Sequence, residues 1–351
     1  MTICYFGDYD PDYSRTRVIL NGLEELGVTI LHCNVREKGL KKYFKLWRAH
    51  QALHGQYDLI FIPMSNSRIF SFVAKCFSRK PVVWEPLFSL YDNWVYDRKL
   101  ATPHSLKAYY YWFLDWIGCT FADLVILDTE TNADYFHQTF WVPKRKLAHV
   151  YIGTDERIFF PRARIGTEKN FEVEFHGGYI PLQGADVIVR AAKLLENKKV
   201  HFTMIGSGQM RASTEALAAE LHLTNITFLP FLSKLEITAY IGNADVCIGL
   251  IGDVPRVARA IPNKLYEAAA MGKLSINADT PALRELFTPG KDVIAIPQGD
   301  HNALAAAIAN FMQHPQKAKD IGAAARETYL KWGTNARVGQ QALNVLSRII
   351  R

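Results

Sequence analysis

The chain has no long uninterrupted apolar run, no cysteine pair at metal-binding spacing, no low-complexity segment and no block of like charge. Each absence excludes something. The five cysteines (Cys4, Cys33, Cys76, Cys119 and Cys247) are odd in number and scattered, without a Cys-x-x-Cys pair. That argues against a disulfide framework or a zinc site and for a reducing compartment. The net charge of +7 is shared between both halves and no base-stacking motif accompanies it, so nucleic acid is not expected as the ligand. The most apolar stretch, 109–127, is interrupted by Asp115, Gly118 and Asp123. A charged side chain near a bilayer centre costs about 2.5–3.5 kcal/mol even on a lenient scale, so this stretch reads as a buried helix followed by a strand over Leu124–Leu127. The acidic loop Asp8-Tyr9-Asp10-Pro11-Asp12 reads as a solvated turn, and no metal is expected. Thr2–Phe6 reads as a strand with no basic leader before it, which points to a cytoplasmic location.

What is present is alternation. Apolar residues make up 49% of the 351 residues, enough for two cores of ordinary size. Short apolar runs, at Thr2–Phe6, Val28–Cys33, Leu59–Pro63, Val82–Glu85, Leu124–Leu127 and Leu147–Tyr151, are separated by helical patterns. One of these is Ser14–Leu26, with Ser14 placed to cap it. Loop composition follows from Gly153 to Asn170. The alternation then resumes through Phe171–Phe175, Val200–Ile205, Ile226–Leu229, Val246–Leu250, Leu274–Asn277 and Val293–Ile296, and helices end the chain. Such βαβ repetition predicts an α/β fold of two Rossmann-like domains with parallel sheets facing across a cleft. The expected boundaries are 1–155, a linker over 156–170, 171–332, and a last helix at 333–351 returning to the first domain. Ligands of such sheets bind beyond the carboxyl ends of the strands.

One segment there carries chemistry. In Arg256 to Lys273, Pro262 and Asn263 suit a helix start, Leu265 to Met271 are helix formers, and Gly272 suits its end. Free N–H groups, the helix dipole and the cations Arg256, Arg259 and Lys264 would together hold an anion. Glu267, one turn on and on the same face as Asn263 and Lys264, would accept two ribose hydroxyls. The plainer reading, an amphipathic helix with a solvated lysine and glutamate, fits the spacing equally well.

Pro262-Asn263-Lys264-Leu265-Tyr266-Glu267-Ala268-Ala269-Ala270-Met271-Gly272 resembles the helix of the retaining nucleotide-sugar glycosyltransferases of family 4, which have the GT-B fold. Tyr151-Ile152-Gly153-Thr154-Asp155 with Phe159-Phe160-Pro161, Ile205-Gly206-Ser207-Gly208, Phe175 to Gly184 and Pro281 to Leu286 resemble further motifs of that family, in its order. The resemblance implies a nucleotide-diphosphate sugar as donor substrate and no cofactor. It puts Glu267 on the donor ribose, Lys264 and the helix amides on the diphosphate, and the backbone of Phe228–Phe231 near the base. Gly178, Tyr179, Gln183 and Gly206 fall in the glycine-rich turns that would border the donor. Three positions depart from the family: Arg259 stands where a sugar-contacting carboxylate is common, Gly178 where an arginine is, and Gln183 where a lysine is.

For the chemistry, Glu85 and Asp92 are the acidic candidates in the loop after the fourth strand, where many relatives carry a histidine. The alternative for Glu85 is pairing with a basic neighbour. Arg15 and Arg17 would contact acceptor or phosphate, or stand solvated on the first helix. The segment Arg36–Arg48 holds six cations and one acid, with Leu40, Tyr43, Phe44 and Trp47 on one helical face. It suits either peripheral contact with an anionic membrane, beside a glycan or lipid-linked acceptor, or a helix whose aromatic face packs on the sheet. Two other functions stay open: a nucleotide-sugar 2-epimerase-like enzyme, and a non-catalytic binding or scaffold subunit derived from the fold.

Overall fold

The computed structural model describes residues 1–65, 67–164 and 170–350. Residues 165–169 of the expected linker and Asn66 of the loop after the third strand lie outside the described residues. Two compact units emerge: Met1–Gly153 with Thr334–Arg351, and Thr154–Gly333.

In the first unit the elements run β1 (Thr2–Gly7), α1 (Ser14–Glu25), β2 (Thr29–Asn34), α2 (Lys41–Leu53), β3 (Leu59–Ile62), α3 (Phe70–Phe77), β4 (Val82–Trp84), α4 (Leu90–Asp92, continued by a π-helical turn Asn93–Asp97), α5 (Leu106–Phe121), β5 (Leu124–Leu127), α6 (Glu130–Phe140) and β6 (Leu147–His149). All strands are parallel, in the order β2-β1-β3-β4-β5-β6. β3 and β5 are buried at every residue, as strands covered on both faces must be. One face packs on α1 and on α14 (Asn335–Leu346), the other on α2, α3, α5 and α6. α14 crosses α1 at glycines: a Cβ on Gly22 would lie 2.0 Å from the Asn335 carbonyl oxygen, and one on Gly339 would lie 2.2 Å from Gly22.

Two sequence expectations change here. Ser14 does not cap α1; the extended Tyr13 precedes the helix without a side-chain cap, and Ser14 is already helical. The 109–127 stretch is not a buried helix. In α5 only Ala108, Asp115, Gly118 and Cys119 are buried, and Leu106, Tyr109, Tyr110 and Phe113 are exposed. The helix turns its small residues to the sheet, because Gly118 lets the Trp84 indole approach where a Cβ would fall 2.4 Å from it. Its bulky residues therefore face outward. Among the described residues no helix is long and apolar enough to cross a membrane.

The second unit runs β7 (Phe171–Gly178), α7 (Ala185–Leu194), β8 (Val200–Ser207), α8 (Arg211–Glu220), β9 (Ile226–Leu229), α9 (Lys234–Asn243), β10 (Val246–Ile248), α10 (Asn263–Ala270), β11 (Leu274–Ala278), α11 (Pro281–Leu286), β12 (Ile294–Ile296), α12 (His301–Gln313) and α13 (Pro315–Trp332). Its parallel order is β12-β11-β10-β7-β8-β9. The order reverses between β7 and β10, so their carboxyl ends open the crevice at which such sheets bind ligands.

Candidate functional site

The residues of the second unit singled out from the sequence lie around that reversal. β7 ends in Gly177 and Gly178. Beyond it, a short turn, Pro181–Gln183, leads into α7 through Gly184. β10 is followed by a loop, a 3-10 turn at Pro255–Arg259, and α10. The two loops pack together: the Gly252 N–H donates to the Leu182 carbonyl at 3.3 Å, and Leu182, Leu250, Val254, Val257 and Ala278 form a small apolar cluster. Pro262, extended, precedes α10; Asn263 is its first residue, and Met271 and Gly272 end it.

The centre of the site is a buried chain of charge. The His176 ring lies between two carboxylates, Nδ1 at 2.7 Å from Glu174 Oε1 and Nε2 at 2.7 Å from Glu267 Oε2. Burial alone would lower its pKa, but the charge and hydrogen bonds of Glu174 and Glu267 outweigh burial and raise it to about 9. Lys264 is buried too. Its Nζ sits 3.8 Å from the Phe175 ring centroid and donates to the Gln183 side-chain oxygen. Burial pulls its pKa down to about 7 despite Glu174 and Glu267 nearby. Gln183 thus partners Lys264 where the family resemblance places a second cation. The plain reading of Lys264 and Glu267 as a solvated pair does not hold, since both are under 10% exposed.

The other expected site residues divide. Gly178 is exposed, with no atom within 4 Å of a built Cβ, so its backbone is open to approach. Arg256 and Arg259 are partly buried in the 3-10 turn. Gly206 lies against β7: a Cβ there would fall 2.0 Å from the Gly177 carbonyl oxygen, so glycine lets the two strand ends close together. Tyr179 is placed differently from expectation. Its side chain is wholly buried in the core, edge-on to Phe175 and under the Arg211 guanidinium at 5.0 Å, so it cannot face a ligand. Arg211, which no sequence motif singled out, also covers Phe228 at 5.2 Å and donates to the Gly206 and Leu229 carbonyls at 2.7 Å each, tying the ends of β8 and β9.

In the first unit Glu85 is fully buried. Its Oε1 accepts from Arg15 Nε, and Arg15 also donates to the Val150 and Tyr151 carbonyls, the former at 2.8 Å. Arg15 is therefore not solvated on α1. Burial raises the Glu85 pKa, and Arg15 opposes the rise. Asp92 is buried; its backbone N–H caps back to Ser89 Oγ at 3.0 Å. The loop between Glu85 and Asp92 is held from beneath. Arg68 donates to the Pro86 and Phe88 carbonyls at 3.1 and 2.7 Å, and Asp115 accepts from Ser89 Oγ and the Tyr91 N–H at 2.7 and 3.0 Å. Burial raises Asp115 to about 6 against the pull of Arg68. The acidic first loop is engaged within the chain: Asp8 binds Lys42 at 3.0 Å and Ser65 Oγ at 2.5 Å. On α2 the buried residues are Leu46 and His50, and Tyr43 packs partly buried against the core, while Phe44 and Trp47 are 64% and 42% exposed and Leu40, just before the helix, is 85% exposed, so only part of the aromatic face reaches the core.

The comparisons fit this geometry. Residues 158–328 match the family of glycosyl transferases group 1. The putative colanic acid biosynthesis glycosyltransferase WcaL of Escherichia coli is 26% identical over 179 residues, 49% of this chain and 43% of that protein, and its Salmonella typhimurium counterpart is 27% identical over 177 residues. The chain thus spans less than half the length of the curated relatives it matches. Among solved structures, sucrose-phosphate synthase from Thermosynechococcus elongatus superposes with a TM-score of 0.78 at 17% identity, covering 99% of this chain and 98% of that one. HepE of Anabaena in complex with UDP-glucose gives 0.74 at 17% identity, covering 99% and 100%. These chains share the GT-B fold, with two units each built on a parallel α/β sheet, and residues 158–328 of this protein are similar to the group 1 glycosyl transferases.

Proposed function

We propose that the chain is a retaining glycosyltransferase that moves a sugar from a nucleoside-diphosphate donor to a hydroxyl of a glycan or lipid-linked acceptor, in cell-surface polysaccharide or glycolipid synthesis. The observation that carries this reading is the start of α10 at the strand-order reversal, with Lys264 and Glu267 side by side. The second unit takes the donor. Glu267 accepts the ribose hydroxyls, and Lys264 with the α10 amides holds the diphosphate. As the acceptor oxygen bonds to the anomeric carbon, the bond to the diphosphate breaks on the same face. The acceptor proton passes to a phosphate oxygen, and glycoside and nucleoside diphosphate leave. Charge builds on the diphosphate during this step, where fixed cations and N–H dipoles lower the barrier. The acceptor falls to the first unit, with the rigid Glu85–Asp92 loop beside it and Asp92 as its acidic candidate. The colanic-acid assignment of the WcaL relatives and the UDP-glucose bound by HepE support the pathway class and the donor class.

A thermal-shift screen of UDP-, GDP- and ADP-sugars tests this. One base class is expected to raise the melting temperature, and no shift with any of them would refute the donor assignment. A product formed without any acceptor would favour the 2-epimerase-like alternative.

On the same reading the enzyme works at the cytoplasmic face of an anionic membrane. Supporting this, α2 and the Leu40 before it present Leu40, Phe44 and Trp47 outward with Lys41, Lys45 and Arg48, and the same helical layer exposes Phe72, Leu106, Tyr109, Tyr110 and Phe113. Aromatics at the headgroup level and cations near anionic lipid both favour such contact, with about 1 kcal/mol per basic residue or less. Sedimentation with phosphatidylserine vesicles should carry the protein down, and salt or a Phe44→Glu, Trp47→Glu double variant should release it. Equal sedimentation with neutral vesicles would contradict an anionic surface as the partner.

A further inference from the structure

We propose that His176 is a positioning residue for Glu267, setting that carboxylate for the ribose hydroxyls and keeping it off Lys264. The proposal rests on the donor reading above. The sequence does not place the two side chains together, since His176 and Glu267 are 91 residues apart. β7 alternates Glu174, Phe175, His176, and the pleat of a strand sends Glu174 and His176 to the same face. There the imidazole meets a carboxylate oxygen at each nitrogen, 2.7 Å away on both sides. Both nitrogens then act as donors, which the imidazolium alone can do; its raised pKa agrees.

Three consequences follow from that geometry. Glu267 is fixed through Oε2, and not through Oε1, by a short charge-assisted hydrogen bond. Glu174 supplies a second carboxylate to the imidazolium, so Glu267 is not the only counter-charge and keeps its strength as an acceptor. Lys264, three residues before Glu267 on the same helix, would otherwise close onto it as an i,i+3 ion pair. Instead its Nζ points to Phe175 and the neutral Gln183. The arrangement holds a hydroxyl acceptor and a phosphate cation apart within one helical turn. A histidine with a packing role alone would not need both of its nitrogens on carboxylates.

The test is discrimination between ribose and deoxyribose. Dissociation constants of UDP, GDP and ADP, and of their 2′-deoxy counterparts, are measured on wild type, Glu267→Ala, His176→Ala and Glu174→Gln. A hydrogen bond to a charged acceptor corresponds to roughly tenfold or more in binding, so wild type should prefer the ribonucleotide of the favoured base by about that factor. Glu267→Ala should bring the ratio near one. His176→Ala should do the same, and Glu174→Gln should lower the ratio while the circular dichroism spectrum stays native. Loss of affinity for both sugars with the ratio unchanged in His176→Ala and Glu174→Gln would mean that His176 only packs, and would overturn the proposal. Should His176→Ala fail to fold, the ratio measured on Glu174→Gln decides in the same way. A wild-type ratio of one, unchanged by Glu267→Ala, would instead overturn the ribose reading itself and this proposal with it.

Discussion

Replacing Glu85 by alanine is expected to destabilise the first unit by about 3–5 kcal/mol, because it leaves a buried cation without its counter-charge. Arg15 is wholly buried on α1, and its guanidinium is divided between Glu85 and the Val150 and Tyr151 carbonyls. The ion pair therefore ties the first helix to the end of β4 and to the chain beyond β6. Removing Glu85 leaves two neutral carbonyls to hold a charge taken out of water. Exchanging both partners for leucine should cost much less, since a buried pair replaced by packed apolar groups is often nearly neutral. Denaturant unfolding of Glu85→Ala, Arg15→Leu with Glu85→Leu, and wild type checks this. If Glu85→Ala unfolds like wild type while transfer is lost, Glu85 acts in the chemistry and not in the fold.

Donor affinity should fall by roughly fifteenfold between pH 7 and 8.5, approaching about tenfold per pH unit above the free-state pKa, the limit for uptake of one proton. In the free protein burial holds Lys264 at about 7, so above neutrality it is largely uncharged. A diphosphate at the α10 start restores the charged form, and binding then takes up a proton. Affinity is accordingly highest below the free-state pKa and falls as pH rises through it. The ionisable groups that bear on Lys264 are Glu174, Glu267 and Cys247. Burial pushes the Cys247 thiol up, out of this range, while Gln183 is neutral. His176, at about 9, begins to lose its proton only toward the top of the window. Nucleotide sugars suit the measurement, since their diphosphate diesters have no proton to lose in this range. Lys264→Met should bind weakly with a flat profile, and a flat profile in wild type would place the phosphate elsewhere.

The parallel sheets were legible in the sequence because strands covered on both faces read as unbroken apolar runs, as at Leu59–Ile62 and Leu124–Leu127. The α10 site was legible because proline, cation, carboxylate and glycine stand at fixed offsets along one helix. Contacts across the chain were not. The Arg15–Glu85 pair joins residues 70 apart, and His176–Glu267 joins residues 91 apart. The one available signal for the latter was a charged residue and a histidine at alternate positions of a strand otherwise fit for a core. α2 left two readings open for a different reason. Its buried stripe is Leu46 and His50, with Tyr43 partly buried beside them, and His50 is paired with the Tyr57 hydroxyl at 2.5 Å. A histidine held through Nε2 turned inward, and Phe44 and Trp47 turned out. In α5, close packing of Gly118 on Trp84 set the rotation of the helix, which hydrophobicity alone does not determine.

The central claim is that Lys264 and Glu267 hold a nucleoside diphosphate at the start of α10. The most direct measurement is the thermal-shift screen of nucleotide sugars repeated on Lys264→Ala and Glu267→Ala, each first shown to be folded. The single base class that stabilises wild type is expected to stabilise neither variant. Equal stabilisation of wild type and both variants would contradict the claim.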